Sequence, residues 1–123
     1  MASTAEGDRF TVEVRLLPGV AVLKLAGELD NDTAEPLAAA LRGLLGTADR
    51  VLVDFSEVGF CDSTGLNVLL RARLSAERAE TAIELVGLRG PVRRMFRITG
   101  ADEVFPVYAD VAEALAVPPQ HPQ

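Results

Sequence analysis

The sequence predicts a single α/β domain, with a mixed, mostly parallel sheet of about five strands and about four helices packed on it. Three observations carry that reading. Two alternating apolar segments adjoin across a Pro-Gly pair near the start, as in an antiparallel hairpin. A continuous apolar run rich in β-branched residues, Val51-Leu-Val-Asp-Phe55, has the character of a central strand buried on both faces. Segments with helical apolar spacing then separate the later strands, as the crossovers between parallel strands require.

Phe10, Val12, Val14 and Leu16 alternate with Thr11, Glu13 and Arg15, the period of a half-buried strand. Pro18-Gly19 turns the chain into a second strand running from Val20 to Gly27. The polar loop Gly27-Glu-Leu-Asp-Asn-Asp-Thr33 leads to a helix. Thr33 is the expected N-cap, because it places Pro36 third in the helix, where a missing N–H loses no helical bond. Leu37, Leu41, Leu44 and Leu45 fall on one face, and Gly46 ends the helix.

After the central strand, the spacing predicts a helix over about Ser63 to Glu80. Leu66, Leu69, Leu70 and Leu74 face inward, and Asn67, Arg71, Ser75 and Arg78 face outward. Arg73 and Glu77 interrupt the apolar arc, and an i,i+4 ion pair at its solvent edge accounts for them. Ile83–Val86 reads as a strand. Gly90-Pro91 opens a helix with Val92, Met95 and Phe96 inward, ending by Gly100. Val104–Tyr108 reads as a last short strand and Asp110–Ala116 as a terminal helix. Residues 10–116 form the domain, with 1–9 and the proline-rich 117–123 expected as flexible tails.

Composition narrows the function. The chain has 123 residues, 49% hydrophobic and 24% charged, an ordinary globular balance with room for one core. A net charge of −6 argues against nucleic acid or an anionic membrane as the main partner, since both need clustered positive charge. The single cysteine, Cys61, excludes an internal disulfide and a multi-cysteine zinc site, and suits a reducing compartment. The N-terminal residues lack the basic and apolar regions of a signal peptide, so a cytoplasmic protein is expected. Cys61 itself is expected to fill a small buried gap.

Chemistry concentrates in Gly59-Phe-Cys-Asp-Ser-Thr-Gly-Leu66, between the central strand and its helix. Cys61-x-Ser63-x-Gly65 is one glycine short of the G-x-S-x-G nucleophile elbow, but the only histidine, His121, lies in the tail, so no base is positioned. Asp30, Asp32, Asp54 and Asp62 read as turn and cap residues rather than a metal cage. No phosphate-binding glycine loop is present. Arg89, Arg93, Arg94 and Arg97 read as the solvated face of a helix, with a contact surface for an acidic partner as the minority reading. Ser63 sits at a helix start, where a phosphoryl group would meet free N–H groups and the positive end of the dipole, with Gly65 keeping the approach open. The added charge of about −1.5 to −2 beside Asp62 would perturb any docked partner, which suits a switch better than a catalyst.

Two motifs, Gly27-Glu28-Leu29-Asp30 leading into Thr33-Ala34-Glu35 and Asp62-Ser63-Thr64-Gly65-Leu66 opening a helix, resemble the STAS domain family. Within it, the chain is similar to the stand-alone anti-sigma factor antagonists of bacteria, over about Phe10 to Ala116. The resemblance implies the STAS fold and a regulator without enzymatic activity or cofactor. In that family the first hydroxyl residue after the aspartate is phosphorylated by a partner anti-sigma factor, an ATP-dependent serine kinase; here that residue is Ser63. The resemblance further implies partner switching. The unphosphorylated form binds the anti-sigma factor and frees a sigma factor, and a metal-dependent serine phosphatase resets the phosphorylated form.

Glu28, Asp30, Asn31 and Thr33, with Asp62, Thr64, Gly65, Leu66 and Asn67, carry over as partner-binding or supporting residues. Asn67 stands where such antagonists often have glycine. The alternative is a STAS module that only assembles into a larger signalling or transport complex, without a phospho-switch. A scaffold need not retain a phosphorylatable serine, so the intact Asp-Ser-Thr-Gly favours the switch.

Overall fold

A computed structural model describes residues 2–6, as backbone, and 9–118. Strands β1 (Ala2–Glu6), β2 (Phe10–Leu17) and β3 (Val20–Leu29) are followed by α1 (Ala34–Leu44), β4 (Arg50–Cys61), α2 (Ser63–Ala79) and β5 (Ala82–Val86). Then come α3 (Gly90–Ile98), a 3₁₀ turn (Ala101–Glu103), β6 (Val107–Tyr108) and α4 (Val111–Leu115). The strands lie in sequence order across one six-stranded sheet. The β1–β2 and β2–β3 pairs are antiparallel and the next three parallel, so the mixed, mostly parallel sheet and four helices agree with the sequence.

Helices α1, α2 and α3 bury Leu37, Leu41, Leu66, Leu69, Val92 and Phe96 against one face of the sheet, on Leu23, Leu25, Val51, Val53, Phe55 and Leu85. The Phe55 and Phe96 rings meet edge to face with centroids 5.5 Å apart. The other face has a smaller cluster of Val22, Leu52 and Val86 under Ala114 of α4. Beside it the buried Arg50 donates to both carboxylate oxygens of Glu84 and to the carbonyls of Ala114 and Val117, tying the end of α4 to the sheet. No helix among the described residues is long and apolar enough to cross a membrane.

Several expectations shift. The segment 1–9 is not wholly a tail: Ala2–Glu6 pairs with β2 from Ala2 opposite Arg15 to Glu6 opposite Thr11. Small and polar residues give that segment no strand pattern of its own; the open edge of β2 supplies the pairing groups. Residues 119–123 of the expected C-terminal tail, with His121, lie outside the described residues. The expected strand at Val104–Tyr108 contracts to Val107–Tyr108, because Ala101–Glu103 continues as a 3₁₀ turn and Phe105 turns into the core. Leu74 is 60% exposed rather than inward, since the buried arc of α2 runs through Gly65, Leu66, Leu69 and Ala76. Arg73 and Glu77 do pair, at 3.5 Å. Arg89, Arg93, Arg94 and Arg97 are exposed and make no ion pair among the described residues, as on a solvated face.

The largest difference positions the site. β4 continues from the expected Val51–Phe55 to Cys61, alongside a β3 that reaches Leu29, and two register shifts absorb the extra residues. One shift follows Gly27, whose φ of +106° places its α-hydrogen against Arg9; a Cβ there would lie 2.0 Å from the Arg9 carbonyl oxygen. Only glycine fits. That close approach lets the Glu28 N–H donate to the same oxygen at 2.9 Å.

Candidate functional site

Because β3 and β4 are parallel neighbours, the segments that follow them leave the sheet at the same end. The Asp62 N–H donates to the Leu29 carbonyl at 3.1 Å, so the Glu28–Thr33 loop and the Asp62–Leu66 turn are joined side by side. Asp62 is the N-cap of α2. One oxygen of its carboxylate accepts from the N–H groups of Thr64 at 2.9 Å and Gly65 at 3.2 Å. Ser63, the first helical residue, is exposed, and no side chain bonds its hydroxyl among the described residues. Two N–H groups expected to be free for a phosphate are therefore already engaged by Asp62, which leaves the Ser63 N–H and places a carboxylate next to the acceptor hydroxyl.

Gly65 has a role different from an open approach. A Cβ on it would lie 2.7 and 2.9 Å from Leu29 side-chain atoms and 3.0 Å from the Cys61 sulfur, so the glycine lets α2 sit directly on the strand ends. Leu66 is buried beneath the turn, whereas Asn67 is exposed and Thr64 partly exposed. Cys61 is buried, as expected. Burial, then the neighbouring Asp62 charge, pushes its thiol up to about 12, so it stays a neutral space-filler.

The neighbouring loop is organised by Thr33 and Arg9. Thr33 occupies the N-cap position of α1, but its side chain makes no cap bond. The hydroxyl turns back into the loop, donating to the Glu28 carbonyl at 2.7 Å and accepting from the Asp30 N–H at 2.8 Å. Asp30 accepts from the Asp32 N–H at 2.9 Å, closing an Asx turn. Arg9 reaches across from the start of β2 to Glu28 and Asp30, both at 2.9 Å, and to Asp32 at 3.6 Å. Desolvation works to raise the Asp30 carboxyl, but the bonds from Arg9, the Asp32 N–H and Thr33 outweigh it and hold it below its ordinary 3.8.

Of the residues singled out from sequence, Ser63, Glu28, Asn31 and Asn67 are exposed and Asp30, Asp62 and Thr64 partly so, all at one end of the sheet. Thr33, Gly65 and Leu66 are buried and shape the surface from below. Sequence reasoning missed two residues. Arg9 lay in the presumed tail, with its partners 19 and 21 residues away and no local signal to link them. Phe60 stood in the presumed turn; it is 48% exposed and lies directly opposite Glu28. Among the described residues, no group of three or more His, Cys, Asp or Glu side chains is placed to hold a metal ion.

Comparison with known proteins agrees with this architecture. The anti-sigma-F factor antagonist RsfB of Mycobacterium tuberculosis is 36% identical over 110 residues, 88% of this chain and 88% of that protein. An anti-sigma-B factor antagonist of Listeria monocytogenes is 34% identical over 84 residues, 68% of this chain and 74% of the relative. The crystal structure of an anti-sigma factor antagonist from Mycobacterium paratuberculosis matches with a TM-score of 0.80 at 32% identity, covering 91% of this chain and 96% of that one. Residues 12–108, which include both strand ends, the capped turn and all of α1 to α3, match the family described as "Mlab, STAS domain". The chain belongs to the STAS domain family.

Proposed function

We propose that the chain is an anti-sigma factor antagonist. In this reading its unphosphorylated form binds an anti-sigma factor with serine kinase activity and so releases a sigma factor, and phosphorylation of Ser63 turns the binding off. A metal-dependent serine phosphatase restores the binding form. The observation that carries the reading is the exposed, unengaged Ser63 hydroxyl at the first position of α2, fused through Asp62 to the acidic loop around Asp30. The names of the three proteins compared above, each an anti-sigma factor antagonist, support the partner class.

The switch is electrostatic. A phosphate adds about −1.5 to −2 charge beside the Asp62 carboxylate, which already occupies the N–H groups of Thr64 and Gly65. Within a closed interface that charge loses its water and is crowded against the Asp62 carboxylate, a situation that costs on the order of 2–5 kcal/mol of binding. On the free protein it stays solvated and the fold survives.

The test is incubation with an anti-sigma factor kinase and ATP, followed by mass spectrometry. Phosphate is expected on Ser63, no labelling in Ser63→Ala, and labelling retained in Thr64→Ala. Labelling of Ser63→Ala at the wild-type level would overturn the assignment.

A further inference from the structure

We propose that Phe60 is the apolar anchor of the surface around Ser63, and that the partner receives its ring in an apolar pocket rimmed by basic groups. This inference rests on the reading of the chain as an antagonist that docks through that surface. The other phenylalanines, Phe10, Phe55, Phe96 and Phe105, are at most 3% exposed, whereas Phe60 is 48% exposed. Its outward aim is built into the strand. Residues opposite each other in a parallel pair share a face: Leu29 and Cys61 point down under α2, and Glu28 and Phe60 point out on the reverse side. On that reverse side the cluster beneath α4 covers Val22, Leu52 and Val86, well below this end of β4.

The ring is continuous with the candidate site. Phe60 and Ser63 are three positions apart, at most about 11 Å of extended chain. Arg9, just before β2, forms a row with Glu28 of β3 and Phe60 of β4, since Arg9 bonds Glu28 and Glu28 sits opposite Phe60. The rim is acidic: Glu28, Asp30 and Asp32 gather around the guanidinium of Arg9, and the Asp62 carboxylate caps the adjoining turn. An exposed aromatic ring set in a charged rim is the composition of an interface hot spot, and the excess of carboxylates selects a basic counterpart.

The probe is the anti-sigma factor kinase that phosphorylates the wild-type chain on Ser63. Phe60→Ala is expected to weaken its binding at least about 30-fold and to raise KM for Ser63 phosphorylation with kcat retained, while the melting temperature stays near wild type. Phe60→Leu keeps an apolar side chain and should recover part of the affinity. Ile98→Ala, which removes a more exposed apolar side chain on α3, should bind as wild type does. If the wild-type chain is phosphorylated and bound but Phe60→Ala matches it in affinity and KM, the anchor is refuted. So it is if Phe60→Ala lowers kcat with KM unchanged, or if Ile98→Ala loses as much affinity. A wild-type chain that no such kinase binds or labels would instead overturn the functional reading itself.

Discussion

Removing the Asp62 side chain should destabilise the domain through the first turn of α2. In Asp62→Ala, the N–H groups of Thr64 and Gly65 lose the acceptor that holds them at 2.9 and 3.2 Å. Loss of a side-chain N-cap costs about 1 kcal/mol. The carboxylate also faces the positive end of a seventeen-residue helix whose first turn has no other acidic residue, which contributes a further ~0.3–1 kcal/mol. Together these give about 1.3–2 kcal/mol, or a fall in melting temperature of roughly 4–9 °C for a domain of this size. Asp62→Asn keeps the acceptor and loses the charge, so it should cost only about 0.3–1 kcal/mol. Thermal melts and urea titrations of the three proteins measure both steps. An Asp62→Ala protein melting within about a degree of wild type would refute the capping argument. Equal losses in Asn and Ala would show that charge, rather than the two hydrogen bonds, does the holding.

Gly65→Ala reverses the usual sign of that substitution in a helix: the added carbon meets Leu29 at 2.7 Å, so a loss of about 1–3 kcal/mol by urea titration is expected instead of a gain. Arg9→Ala should free the acidic loop, seen as faster amide exchange at Asp32 and Thr33 and an NMR titration of Asp30 that moves up towards 3.8. Since the Asp30 carboxyl is lowered on folding, its contribution to stability is complete above 3.8 and is lost as pH falls from there through the lower folded value, so wild type and Arg9→Ala should converge in strong acid. The native chain should resist iodoacetamide at pH 8 and react in urea, because burial keeps the Cys61 thiol protonated; rapid native alkylation would contradict that burial.

How much of this was legible in the sequence depended on how far each signal reached. Alternation in Phe10–Leu16 and the leucine spacings of α1 and α2 are local, and those elements formed where expected. Asp62 as a cap beside an exposed Ser63 was equally local. The extension of β4 through Glu57 and Gly59 was not, because those residues break the apolar run and only pairing with β3 makes them a strand. The same holds for Ala2–Glu6, recruited by the edge of β2. Thr33 was placed at the right position, but its hydroxyl chose the Glu28 carbonyl over the helix, a competition between two local acceptors that composition does not decide. Arg9 and Phe60 acquire their meaning from register alone.

The overhang of β4 also determines how the site responds to force. β5 pairs with β4 only as far as Val86 opposite Asp54, whereas β3 continues to Leu29 opposite Cys61. The peptide leading into Ser63 is thus a cantilever braced by the β3 ladder, which is itself pinned through Gly27 and Glu28 to the carbonyl of Arg9. A pull on the acidic loop is transmitted through the Leu29–Asp62 bond to the start of α2, and a displacement of the α2 start returns along the same bond. Loop and acceptor turn are therefore joined by a direct backbone bond, and they share the buried Leu29, Cys61 and Leu66 as a common footing.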